Sequence, residues 1–141
     1  MPTPFLRILI VDDQPAQRLS IEKMLNRQGY HRIAPVDTFA ELLAMIHNAI
    51  EPFDLLVINS ALGEGAKFNL DDFFLNCPVI RHTLVYDNLP LGEQATVLAP
   101  ESRVVKKLSR IPDEQAIRNL MQVIDSPKKQ PSRSNFRLKV L

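Results

Sequence analysis

The chain has little of several residue types, and each scarcity excludes a class of protein. Among 141 residues there is one cysteine, Cys77, so no intrachain disulfide can form and a disulfide-stapled scaffold is excluded. Tryptophan is absent, and aromatic residues make up 6% of the chain. No charged segment with an apolar core opens the sequence, and no apolar run is long enough to span a bilayer. We therefore expect a cytoplasmic protein that does not enter a membrane.

Acidic residues are missing from one end of the chain. Residues 126–141 contain lysine and arginine but no acid, which leaves 12 basic against all 16 acidic residues in residues 1–125. The same end is rich in proline and serine, the composition of a solvated arm. We expect one domain over residues 1–125 and a basic, flexible tail over residues 126–141. With 45% hydrophobic residues, the domain can bury a core of its own.

Apolar runs and helical patterns alternate along the domain. Strand patterns predict five strands, "LRILIV" (6–11), "HRIAPV" (31–36), "FDLLVINS" (53–60), "HTLVYD" (82–87) and "SRVVKKL" (102–108). Helical patterns follow most of them, at residues 13–28, 38–50, 69–76 and 112–125. The segment "YDNLPLGEQATVLAPE" carries two prolines and a glycine, and these residues predict a loop-rich region before the fifth strand.

Helix signals stand at the ends of these patterns. Asp13 is placed to cap the first helix, Pro15 suits its first turn, and Gly29 suits the position just past its end. Thr38 and Glu41 have the spacing of a capping box at the start of the second helix.

Alternating strands and helices predict a parallel sheet with helices on both faces. Five strands suit an α/β, flavodoxin-like, doubly wound sheet in the order 2-1-3-4-5, in which strands one and three are neighbours. Ligands of such sheets bind at the carboxyl ends of those two strands. Asp12 and Asp13 end strand one and Asn59 ends strand three, so we expect these side chains to face one another across a crevice.

Three motifs in the predicted strands resemble those of response regulator receiver domains of two-component signalling. "ILIVDDQPAQR" resembles the first strand with its acidic pair, "PFDLLVIN" the third strand, and "VVKKL" the fifth strand with its lysine. The resemblance covers roughly residues 5–125. It implies that Asp12 and Asp13 match the acids that hold Mg²⁺, that Lys106 matches the phosphate-binding lysine, and that Asn59 stands where the family has its phosphate-accepting aspartate.

The switch position of the family, a serine or threonine that contacts the phosphoryl group, depends on the register of strand four. If the strand is "VIRHT", Thr83 takes this position. The register "TLVY" is favoured because Arg81 and His82 suit a central strand poorly, and it places Tyr86 or Asp87 there.

Asn59 is the departure from the family pattern with the largest chemical consequence. An amide is a feeble nucleophile, so we expect phosphoryl transfer to be absent. The substitution also removes one carboxylate from the Mg²⁺ site, and a unit-charge interaction at 4 Å is worth about 4 kcal/mol at an effective dielectric constant of 20. Mg²⁺ binding is therefore predicted to be weak. Lys67 and Lys107 also depart from the family, which has glycine and proline at these positions.

These features predict a phosphorylation-independent pseudo-receiver in phosphorelay signalling, a protein that is not an enzyme and acts through protein contacts. Its expected partner is a histidine kinase, another regulator or an output protein, and the oligomeric state stays open. One alternative is a flavodoxin-fold enzyme that uses the same crevice, although no glycine-rich phosphate cradle and no nucleophile beside a base are present. The other is nucleic-acid association through the basic tail, which lacks interleaved aromatic residues.

Overall fold

The computed structural model describes residues 5–63, 77–86, 94–99 and 103–125. Several sequence predictions lie outside the described residues, namely the short helix over residues 69–76, Lys67, Asp87 and the tail over residues 126–141.

Within the described residues, six strands form one sheet in the order β2-β1-β3-β4-β6-β5. Their bounds are β1 Ile8–Val11, β2 Ile33–Val36, β3 Phe53–Asn59, β4 Ile80–Tyr86, β5 Gln94–Ala99 and β6 Arg103–Leu108. The first four strands and β6 run parallel to one another, and β5 pairs antiparallel with β6. Because β6 is the predicted fifth strand, the parallel part has the predicted order 2-1-3-4-5, and the α/β flavodoxin-like fold is confirmed.

The strand β5 corrects the expectation of a loop-rich region before the fifth predicted strand. Its sequence, "QATVLA", contains the β-forming residues Thr96 and Val97, and prolines and a glycine flank it instead of interrupting it. Ala99 pairs with Arg103 across a short connection, which suits an antiparallel hairpin and not a crossover. The prolines and the glycine therefore mark the limits of β5, an additional strand at the edge of the sheet.

Three α-helices and one short 3₁₀-helix lie in the described residues, namely α1 Pro15–Arg27, α2 Phe39–His47, α3 Glu114–Ile124 and the 3₁₀-helix Ser60–Gly63. None of the helices in this part of the chain is long and apolar enough to cross a membrane. The Thr38 side chain accepts a hydrogen bond from the Glu41 N–H at 3.0 Å, as the capping-box spacing predicts. Asp113 caps α3 in the same way through the Ala116 N–H at 2.8 Å.

The start of α1 differs from the prediction, and its end agrees with it. Gln14, not Asp13, is the N-cap residue, and its side chain makes no capping hydrogen bond. Pro15 opens the helix, where its missing N–H costs nothing. Gly29 follows the helix with a φ of 99°, a left-handed conformation that glycine adopts without steric penalty. The Asp13 side chain is exposed instead of capping the helix.

The helices cover both faces of the sheet, so its central strands are buried on both sides. Helices α1 and α3 pack on one face, with Ile21, Leu25 and Ile117 in its core, and α2 packs on the other through Leu42. This explains why β3 reads as an uninterrupted apolar run. Its residues 55–58 are 0% exposed, and burying each such side chain contributes about 1.5–3 kcal/mol relative to exposure.

Both ends of α3 are bonded to the segment around the end of α1. The Arg27 guanidinium donates to Glu114 at the start of α3 at 2.6 Å, and this hydrogen bond lowers the pKa of the Glu114 carboxyl. The Tyr30 hydroxyl donates to Asp125 Oδ2 just past the end of α3 at 2.7 Å. Burial raises the pKa of Tyr30, and the bond to Asp125 raises it further, so the hydroxyl stays protonated at neutral pH.

Candidate functional site

Three polar side chains meet where the parallel strands β1, β3 and β4 end. Val11 at the end of β1 pairs with Ile58, and Asn59 pairs with Tyr86. Asp12 follows Val11 directly, so Asp12, Asn59 and Tyr86 lie on three adjacent strands at the carboxyl edge of the sheet. Asp12 and Tyr86 are 0% exposed and Asn59 is 4% exposed. The site is therefore closed to solvent.

Asp12 is the hydrogen-bond acceptor that the other side chains of this site share. Its Oδ1 accepts a hydrogen bond from the backbone N–H of Gln14 at 2.9 Å. Its Oδ2 accepts from Gln17 Nε2 at 2.9 Å, from Asn59 Nδ2 at 3.4 Å and from the Tyr86 hydroxyl. We call Asp12, Gln17, Asn59 and Tyr86 the Asp12 cluster. A carboxylate without solvent contact is tolerated here because donors from the described residues surround it.

The amide of Asn59 uses both of its ends. Its Nδ2 donates to Asp12, and its Oδ1 accepts a hydrogen bond from the backbone N–H of Ala61 at 2.9 Å. An ionised aspartate at this position would keep the bond from Ala61 but would have no donor for Asp12. The amide thus has a structural role that a carboxylate could not fill.

Tyr86 brings a hydroxyl to Asp12 from the end of β4. It lies between Asn59 of β3 and Leu108 of β6, and its ring belongs to the core beneath α1 and α3. A buried tyrosine hydroxyl normally has a hydrogen-bond partner, and here Asp12 is one. The phenol group therefore contributes apolar packing and a charge-assisted hydrogen bond at the same position.

Arg18 connects the backbone of Asp12 to the segment that follows β2. Its NH1 donates to the backbone carbonyl of Asp12 at 2.5 Å and forms an ion pair with Asp37 at 2.8 Å. Asp37 follows the last residue of β2, so this guanidinium joins the ends of β1 and β2. The backbone that carries Asp12 is thereby fixed from outside the cluster.

The residues present do not fit a Mg²⁺ site. The ion takes oxygen ligands in near-octahedral geometry, and two of the three predicted ligands are already committed to contacts within the protein. Asp12 is committed to protein donors, Asn59 turns its nitrogen toward Asp12, and Asp13 is exposed. In the part of the chain that the structure describes, no group of three or more acidic, histidine or cysteine side chains could hold a metal ion. The weak Mg²⁺ affinity itself stays a prediction.

Lys106 does not join the hydrogen bonds of the Asp12 cluster. It pairs with Leu84, two residues before Tyr86 along β4, so its Cα lies about 6.6 Å short of the carboxyl edge. Its side chain lines a cleft of about 380 Å³ beside the start of α3, together with Arg110 and Asn119. Its role as a phosphate-binding lysine stays a prediction.

Strand β4 includes both registers considered for the switch position. It contains Arg81 and His82, which were expected to suit a central strand poorly, and it ends at Tyr86, which lies opposite Asn59. Thr83 is buried three residues earlier, opposite Leu56, and successive residues alternate in direction, so it faces away from Tyr86. The identity of the switch residue stays a prediction. Sequence reasoning missed Gln17, whose signal was its place in the first turn of α1, from which a long amide side chain reaches back to Asp12.

Comparison with known proteins gave no relative: no family model, no curated protein and no solved structure matches this chain.

Proposed function

We propose that the protein is a pseudo-receiver of two-component signalling, a receiver-like module that works through protein contacts and without phosphorylation. The flavodoxin-like sheet supports this proposal, as do the three strand motifs and the position of Asn59 beside Asp12. The observation that carries it is the fully buried Asp12 carboxylate, which accepts hydrogen bonds from Asn59, Gln17 and Tyr86.

The chemistry of the Asp12 cluster explains why phosphoryl transfer is expected to be absent. A phosphate acceptor must offer an oxygen lone pair to an incoming phosphorus atom and needs a cation to offset the charge. The Asn59 amide has a weakly nucleophilic oxygen, and this oxygen already accepts the Ala61 N–H. The Tyr86 hydroxyl is directed at Asp12, so this buried carboxylate is already bonded and is not open to a metal or a phosphoryl group.

The same cluster favours a single conformation of the carboxyl edge. In a phosphorylated receiver, the modification biases an equilibrium between two conformations. Here the donors on β3, β4 and α1 converge on one buried acceptor, and breaking any of these bonds exposes an unsatisfied polar group. The partner, in this proposal a kinase, another regulator or an output protein, binds a surface that is always in its competent state.

Treatment with acetyl phosphate and Mg²⁺ is expected to leave the wild-type protein unmodified. Intact-mass spectrometry after incubation measures this directly, and an active receiver domain treated in parallel shows that the donor is competent. Amide chemical shifts of Asp12, Asp13 and Asn59 recorded over the same Mg²⁺ concentrations report whether the metal binds. A phosphate adduct on the wild-type chain, or saturable Mg²⁺ shifts at these residues, would overturn the proposal.

A further inference from the structure

We propose that a groove at the amino edge of the sheet binds a segment of a partner protein in which an acidic residue stands next to an apolar one. This groove, called the basal groove, is lined by Arg7, His31, Arg32, Met45, Ile50 and Phe53. It goes beyond the proposed function because it shares no residue with the Asp12 cluster and lies at the opposite end of the strands.

The basal groove is one continuous feature. Two adjoining cavities of about 420 and 350 Å³ share Arg7, Arg32, Met45 and Phe53 in their walls. Each volume falls within the range of pockets that hold small ligands or several side chains, about 300–1,000 Å³. An open groove of this size has room for several side chains of a peptide segment.

Arg7 presents a carboxylate-binding edge inside the groove. Its guanidinium lies 4.4 Å from the centre of the Phe53 ring, and its NH1 donates to the carbonyls of Glu51 and Pro52 at 2.8 and 3.2 Å. Among the described residues, nothing accepts a hydrogen bond from its Nε or NH2. These two nitrogens form the side of the guanidinium that binds a carboxylate with two parallel hydrogen bonds. The ring and the carbonyls already hold the side chain, so binding costs less conformational entropy.

Charge in the groove is opposite to that of the surrounding domain. The groove walls hold Arg7, Arg32 and His31 against the carboxylate of Glu51, which is 3.8 Å from Arg7 NH1. A second carboxylate, that of Asp54, accepts the Arg7 backbone N–H at 2.8 Å. Residues 1–125 as a whole carry more acidic than basic residues. The net negative charge of the domain acts on partners at long range, whereas the two arginines select an acidic segment at short range.

Apolar side chains beside these charges would bind the apolar residue of the partner segment. Ile50 is 98% exposed, and Met45 and Phe53 line the adjoining wall. An isolated exposed isoleucine is ordinary on a protein surface. Here it lines the same cavity as the Arg7 guanidinium, so a partner residue that covers it brings a neighbouring carboxylate within reach of Arg7.

Backbone pairing with β2 is not the mode of recognition. The carbonyls of Arg32 and Val36 accept hydrogen bonds from β1, so the alternate residues Ile33 and Pro35 face the outer edge. Pro35 has no N–H to offer there, which blunts the edge against an added strand. Recognition therefore depends on the side chains of the groove.

Selection from a display library of random short peptides against the full chain tests this proposal. We expect enriched peptides to combine aspartate or glutamate with a neighbouring large apolar residue. For a synthesised winner, fluorescence polarisation is expected to show about tenfold weaker binding to Arg32→Gln and to Ile50→Ser, the size of a lost charge-assisted hydrogen bond or buried side chain. Arg7→Lys keeps the charge but not the two-nitrogen edge, and it is expected to weaken binding similarly.

Two substitutions of exposed residues outside the groove serve as matched controls. Arg118→Gln removes the same charge as Arg32→Gln, and Leu19→Ser replaces a large apolar side chain as Ile50→Ser does. Both are expected to bind the peptide as the wild type does. Arg32 and Ile50 are exposed, so their variants are expected to fold. The proposal would be overturned if the selection did not enrich acidic-apolar peptides, or if the selected peptide bound the groove variants as tightly as the wild type. It would also be overturned if an RNA oligonucleotide bound more tightly than the peptide and the same variants lost that binding. None of these results depends on phosphorylation, so the proposed function is tested separately.

Discussion

Replacing Asp12 by alanine is expected to lower the free energy of unfolding by about 3–5 kcal/mol, the cost of removing one partner from a buried, charged hydrogen-bond network. The carboxylate is 0% exposed, and its loss leaves Gln17, Asn59 and Tyr86 with buried donors that face a cavity. Urea denaturation followed by circular dichroism measures the change. In a thermal melt the midpoint is expected to fall by more than about 10 °C.

Asp13→Ala is the matched control, because Asp13 is the adjacent acid in the sequence but is exposed. Its effect on the free energy of unfolding is expected to stay within about 0.5 kcal/mol, as for surface substitutions in general. Equal effects of the two substitutions would contradict the structural role assigned to Asp12. They would favour a site in which both acids act together, as a shared metal requires.

Asn59→Asp is expected to destabilise the protein by roughly 2–3 kcal/mol at neutral pH. In the wild-type protein, Asn59 Nδ2 donates a hydrogen bond to Asp12 Oδ2 at 3.4 Å. The substitution replaces this hydrogen bond with a contact between two carboxylates. Two unit charges 4 Å apart repel by about 4 kcal/mol at an effective dielectric constant of 20, and partial protonation and rearrangement reduce the net cost. Equilibrium urea denaturation of both proteins in the absence of metal gives the difference.

The pH dependence of this difference identifies its cause. Burial and a like charge disfavour ionisation of the introduced carboxyl in the folded state, so the folded protein holds its proton to higher pH than the unfolded chain does. The destabilisation is therefore expected to be smallest near pH 4, the ordinary range of an aspartate, and to grow as pH rises. Asn119→Asp on the exposed face of α3 is the control, and a difference independent of pH would contradict the charge explanation.

Mg²⁺ separates two consequences of the same substitution. The receiver resemblance predicts that an aspartate at position 59 restores a site with three carboxylates, and the metal would then recover the lost stability. The structure predicts little recovery, because Asp13 is exposed and the Tyr86 hydroxyl competes for Asp12. Repeating the denaturation of Asn59→Asp with millimolar Mg²⁺ decides between these two outcomes.

The parallel sheet and the neighbours of Asp12 could be predicted from the sequence because they depend on patterns that repeat. Alternating strands and helices dictate a parallel sheet, and strand order 2-1-3-4-5 places β1 beside β3. Asp12 and Asn59 were therefore expected to lie close together, and the structure joins them by a hydrogen bond. Thr38 and Gly29 were equally predictable, since each helix end needs a particular side chain or backbone conformation.

The closed state of the site could not be predicted, because it depends on the reach and direction of single side chains. A tyrosine at a strand end indicates a core residue, and no local pattern shows that its hydroxyl meets Asp12. Gln17 is an ordinary helix residue until the helix is placed over β1. Lys106 was predicted from a motif, and its level along β6 depends on a register that a motif does not contain.

The antiparallel strand β5 also has a consequence for how the sheet assembles. Closing a short loop costs less entropy than closing a long one, so the pairing of Ala99 with Arg103 forms more readily than that of Thr83 with Val105. Strand β6 then reaches β4 as half of a two-stranded ribbon and not as a single strand. A slip of one residue against β4 would therefore turn every side chain of β6, Lys106 included, to the opposite face and would displace β5 with it.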